Sequence, residues 1–166
     1  EQGQLTGALR VQIWLLQDAD SFARKELEQV VTMLESSVEP KVEVTVLDLT
    51  ESEIHRCIAC DICPTHVGSD EEYRCIVNSG SDALKLNHSL FLEPDAILVA
   101  AHSPVDRTSL VSGYQRFMER TRYLRRGDYV LSDVAVAPLV WEELGSKENL
   151  HLRMLTSMLR HHTVMA

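Results

Sequence analysis

The sequence predicts a three-layer α/β sandwich on a parallel five-stranded sheet in the order 2-1-3-4-5. Two runs are apolar throughout, as strands buried on both faces are; a third alternates strictly, as a sheet edge does; and helical periodicity fills the intervals.

Arg10 to Leu16 (RVQIWLL) is the first two-sided strand and belongs in the middle of the sheet. Leu27, Val30, Val31 and Leu34 then fall at helical spacing, and Pro40 closes that segment. Lys41 to Leu47 (KVEVTVL) alternates and is placed at an edge. Ser81 to Phe91 reads as a helix stopped before Pro94, and Asp95 to Ala101 (DAILVAA) as the third strand. Leu110, Tyr114, Phe117, Met118 and Thr121 trace one helical face. Tyr129 to Ala137 supplies the fourth strand, Asn149 to Arg160 an amphipathic helix, and Thr163 to Ala166 a fifth strand. Right-handed crossovers with an edge-like second strand select the 2-1-3-4-5 order, in which ligands bind beyond the strand carboxyl ends near the β1/β3 switch point. The loops after Leu16, Ala101 and Ala137 would then form the site, and the cysteine segment would emerge at that same end.

At 166 residues the chain suits one domain, 1–166, carrying a cysteine-rich insertion at about 55–80. With 45% apolar and 25% charged residues and no apolar run of about 20 residues, it reads as a soluble globular protein with no membrane partner. A formal charge of −9 gives nucleic acid no electrostatic footing. Arg116, Arg120, Arg122, Arg125 and Arg126 are the local exception. They either complement a helix C-terminus or form a face for an acidic partner or a pyridine-nucleotide phosphate. With no charged segment and apolar run opening the sequence, a cytoplasmic location with reduced thiols is expected.

All four cysteines lie in one segment, Cys57-Ile-Ala-Cys60-Asp-Ile-Cys63-Pro64 and then Cys75. Two consecutive two-residue gaps let three thiolates converge on one small object while the fourth folds over it, as a cubane [4Fe–4S] cluster requires. Structural zinc more often uses two separated pairs, so iron is favoured over zinc, and unliganded thiols are the remaining alternative. Disulfides between such close neighbours would close small strained loops. Asp70, Glu71 and Glu72 read as a solvated turn within the excursion to Cys75.

The segment Ala101-His102-Ser103-Pro104-Val105-Asp106-Arg107-Thr108-Ser109-Leu110, continuing through Phe117-Met118-Glu119-Arg120-Thr121, resembles that of NAD(P)H-dependent FMN reductases, and the cysteine segment resembles that of iron–sulfur flavoproteins. Both families share the flavodoxin-like fold. The resemblance implies an FMN-dependent NAD(P)H oxidoreductase or electron-transfer flavoprotein with a [4Fe–4S] cluster, passing electrons to a small-molecule or protein acceptor. It also implies a homodimer or tetramer, since the cysteine segment of one subunit often lies near the flavin of another.

By the same resemblance the FMN phosphate would lie near Ser21, Arg24 and Lys25 in the loop that starts at Gln17, with the ring near Ser103, Pro104, Val105, Asp106, Arg107 and Thr108 and with Trp141 over one face. Cys57, Cys60, Cys63 and Cys75 would hold the cluster. The first loop departs from the family pattern, having no glycine and carrying Asp18 and Asp20; Asp20 or Ser21 is expected to cap the following helix. Trp141 either covers a flavin or pins its loop. His102 either touches a flavin edge or is a satisfied, partly buried histidine, and His161 and His162 read as structural. No residue stands out as a nucleophile or general base. The alternative function is a non-enzymatic binding or assembly module that has lost its flavin.

Overall fold

The structure, a computed structural model, describes residues 7–61, 63, 73, 75–103, 111–126, 129–143 and 149–166. The strands are β1 (Leu9–Gln17), β2 (Val42–Asp48), β3 (Ala96–Ser103), β4 (Ala135–Glu142) and β5 (Val164–Met165). Between them run α1 (Phe22–Glu35), α2 (Ala83–Leu86), a 3-10 turn (Leu90–Leu92), α3 (Val111–Arg120), α4 (Arg122–Arg125) and α5 (Leu150–Leu159). All pairings are parallel and the order is β2-β1-β3-β4-β5, so the predicted topology holds. Among the described residues no helix is long and apolar enough to cross a membrane.

Alternation along the central strands sends side chains to two cores. Ile13, Leu15 and Ala100 face α1 and meet Ala23 and Leu27. Trp14, Leu16, Ile97, Val99 and Val136 face the other way and meet Phe117, Leu84 and Met154 from the helices there. Trp14 anchors this second core, with Phe91 and Phe117 edge-on at 5.2 and 5.5 Å, and its indole N–H donates to the Gln12 side-chain Oε1 at 2.9 Å. β2 is an edge strand, and its alternating exposure matches the alternation read from Lys41 to Leu47.

Two elements differ from the expectation. The helix expected over Ser81 to Phe91 is broken: α2 stops at Leu86 because the Asn87 amide and backbone N–H both return to the Ala83 carbonyl, and a 3-10 turn follows. The fourth strand starts at Ala135 rather than Tyr129, since Tyr129 (φ 50°) and Asp133 (φ 67°) adopt left-handed conformations that interrupt extended structure. It then continues through Pro138, which is accommodated because β5 pairs only with Ala135 and Val136, leaving that side of β4 open beyond them. The loop placed after Ala137 is therefore largely strand.

Candidate functional site

At the carboxyl ends of the strands, β1 finishes in a register shift between Leu15 and Gln17, and the Gln17 amide donates to the His102 carbonyl at 2.9 Å, tying β1 to β3. The chain then turns through Asp20 and Ser21, both left-handed (φ 55° and 57°), into α1. This double turn folds Asp18 back over the helix start. Its carboxylate accepts the backbone N–H groups of Ala23 at 2.8 Å and Arg24 at 3.3 Å, and its side chain is only 2% exposed. Asp18 is the cap. Ser21 stands at the N-cap position but makes no side-chain bond there, which corrects the expectation for Asp20 or Ser21.

Of the residues assigned to a flavin phosphate, Arg24 is thus otherwise engaged. Arg24 donates to Asp48 at 2.6 Å, reaches Thr50 and lies 3.5 Å from Glu51, and Asp48 with Arg24 bound is held below the ordinary aspartate range although burial pushes the other way. Ser21 and Lys25 are exposed. α5 repeats the pattern: the Leu150 N–H donates to Glu142 at 2.8 Å. A phosphate set against Asp18 would meet repulsion of about 4 kcal/mol per pair of unit charges at about 4 Å and an effective dielectric of about 20. The amides that would receive it are already bonded, so the residues at the start of α1 do not fit an FMN phosphate.

Trp141 lies within β4, in register with His102, and meets Phe22 edge-on at 6.5 Å; Phe22 also lies 4.8 Å from the His102 ring. Trp141 is thus half-buried against α1 rather than carried on a loop. His102 is buried and approaches Glu143 at 3.4 Å. Ser103 ends β3; Pro104, Val105, Asp106, Arg107 and Thr108 lie outside the described residues, as do Asp70, Glu71 and Glu72.

The cysteine segment leaves β2 at that end of the sheet but travels along the helical face to the junction of α3 and α4. Asp61 pairs with Arg122 at 3.0 Å and with Arg126. The Cys63 thiol is pushed up by burial; Arg126 and Arg122 act downward and Cys75 and Cys57 upward, which puts three thiols and two guanidinium groups in one neighbourhood. All four cysteines are free and partly exposed. Among the described residues no three His, Cys, Asp or Glu side chains are gathered to hold a single metal ion.

A buried clamp closes the neck of the segment. Arg120, expected among surface cations, is instead buried, and it grips Asp82 with two nitrogens at 2.9 and 3.2 Å. The same guanidinium donates to the carbonyls of His55 (3.0 Å) and Val77 (3.2 Å) and to the Tyr73 hydroxyl, which in turn donates to Val77 at 2.9 Å. Asp82 also accepts the His55 backbone N–H and caps α2 through Leu84. Burial alone would raise the Asp82 pKa, but Arg120 and His55 outweigh it and keep the carboxyl below its ordinary range. One ion pair thus fixes both ends of the stretch that contains every cysteine.

Beside this segment, α3, α4 and α5 enclose a cleft of about 810 Å³ into which Cys57 and several arginines face. The parallel order and helix placement define a flavodoxin-like α/β fold. The structure is similar to that of the flavodoxin, WrbA-like protein from Agrobacterium tumefaciens, at 10% identity and a TM-score of 0.57, covering 95% of this chain and 76% of that one. No protein-family model matches the sequence, and no curated protein matches it.

Proposed function

We propose that the chain is a flavodoxin-fold redox module whose electron-carrying centre is a [4Fe–4S] cluster on Cys57, Cys60, Cys63 and Cys75. The observation that carries this reading is the shared neighbourhood of Cys57, Cys63 and Cys75 opposite Arg122 and Arg126. Four thiolates around one zinc must each lie about 2.3 Å from it, whereas a four-iron cluster is a larger object whose ligands stand further apart. Two consecutive two-residue gaps with a fourth cysteine folding in from outside suit the larger object. When bound, the cluster would take up and pass on single electrons. Arg122 and Arg126 offset the negative charge that gathered thiolates bring, and the Arg120–Asp82 clamp limits the freedom of the segment that supplies them.

Electrons would pass to a small-molecule or protein acceptor. No step is assigned to FMN or to NAD(P)H, because Asp18 takes the place of the phosphate. That substitution favours a second reading, a flavodoxin-fold binding or assembly module without redox chemistry. Anaerobic reconstitution with iron and sulfide separates the two. The redox reading expects about four irons per chain with the broad visible absorption of a cluster. Protein that takes up no iron, or one zinc in its place, overturns it and leaves the binding module.

A further inference from the structure

We propose that the cleft between α3–α4 and α5 binds a small phosphorylated molecule. The cleft's volume of about 810 Å³ falls within the range of about 300–1,000 Å³ usual for small-molecule sites. The chain carries a formal −9, yet the cleft is lined by five arginines and a single carboxylate, Glu119. Two of the arginines are spoken for: Arg56 pairs with Glu119 at 3.2 Å and Arg122 with Asp61 at 3.0 Å. Arg125 and Arg160 have no carboxylate partner among the ion pairs of the described residues. Burial lowers the pKa of Arg125, and Arg160, Arg122 and Arg126 lower it further, a crowding of cations that an anion would relieve. Guanidinium forks suit phosphate oxygens in particular.

A second observation points to the same place. His161 lines the cleft, is 2% exposed, and leaves its Nδ1 without a hydrogen-bond partner. The Thr121 hydroxyl donates to the Met118 carbonyl, so His161 Nε2, at 3.3 Å, is assigned as the N–H that donates to Thr121. Nδ1 is then a bare acceptor. Arginines beside an unused acceptor suit a ligand that combines phosphate with a hydroxyl donor, as sugar phosphates do. The strand carboxyl ends, by contrast, present Asp18 and Glu142 already seated on helix amides.

The test is calorimetric titration with inorganic pyrophosphate and with ribose 5-phosphate, on protein as purified and whatever its iron content, so that it stands apart from the cluster assignment. Both probes should bind saturably and more weakly as salt rises, and Arg125→Gln and Arg160→Gln should each reduce affinity at least about tenfold. Arg160 is exposed, so its replacement leaves the fold intact. Absence of saturable binding, or binding unchanged in the Arg160→Gln protein, overturns the proposal.

Discussion

The carboxylate of Asp18 lies 2.8 Å from the backbone nitrogen of Ala23, so the start of α1 is closed by the chain itself. An anion favours that position for the same reason a phosphate would: unpaired N–H groups and the positive end of the helix dipole converge there. The side chain and a phosphate are competitors for one place.

Replacing Asp18 should therefore separate stability from binding. Asp18→Ala removes the cap and should cost about 1 kcal/mol of unfolding free energy, read by urea denaturation. Asp18→Asn keeps an oxygen acceptor and removes the charge, and its affinity for FMN should rise at least about tenfold over wild type in a fluorescence titration. Equal affinities would show that Asp18 does not compete with the phosphate.

Arg120 and Asp82 are both buried, so removing one leaves the other uncompensated. Asp82→Asn and Arg120→Met should each destabilise the protein by about 3–5 kcal/mol. Tryptic cleavage around His55 and Val77 should accelerate in both. The double replacement Arg120→Met/Asp82→Leu should recover part of the stability but not the protection of the neck, because the guanidinium that ties the His55 carbonyl to that of Val77 is still missing.

His161 should dominate the stability profile in mild acid. Burial, reinforced by Arg125, lowers its pKa from 6.5 to about 4. Between those values the unfolded chain binds the extra proton, so stability rises with pH across that window and is lost as pH falls through it. The loss by pH 5 should be about 2 kcal/mol relative to pH 7. His161→Gln should flatten the difference. Asp82 acts in a separate window, since a depressed carboxyl gives up its contribution only below about pH 3.9.

Among the cysteines, Cys57→Ala, Cys60→Ala and Cys63→Ala should each abolish cluster absorption after reconstitution. Cys75→Ala should leave a labile three-iron form detectable by electron paramagnetic resonance. The far-ultraviolet circular dichroism of all four should match wild type, because none of the four cysteines lies in a strand or helix among the described residues.

The sheet was legible because strand period and burial are written directly into residue order: RVQIWLL in the centre and KVEVTVL at the edge needed no partner to be read. The fourth strand was misplaced at its start because Tyr129 to Val134 is rich in residues favoured in strands, while the left-handed turns at Tyr129 and Asp133 leave no mark in composition. The site was less legible. Three polar residues, Asp18, Asp20 and Ser21, compete for one cap, and only the double left-handed turn decides for Asp18. Arg120 looked like one more cation at a helix end, since its partner stands 38 positions away and nothing local announces it.

The closed neck has an evolutionary corollary. Contacts of Arg120 hold His55 and Val77 together, with Tyr73 as a further member of the clamp, and lengthening an already closed loop costs only about 0.6 kcal/mol per doubling. The stretch bearing the cysteines is thus an exchangeable cassette. Its length and ligand chemistry can drift, or be grafted, while the sheet beneath it keeps folding.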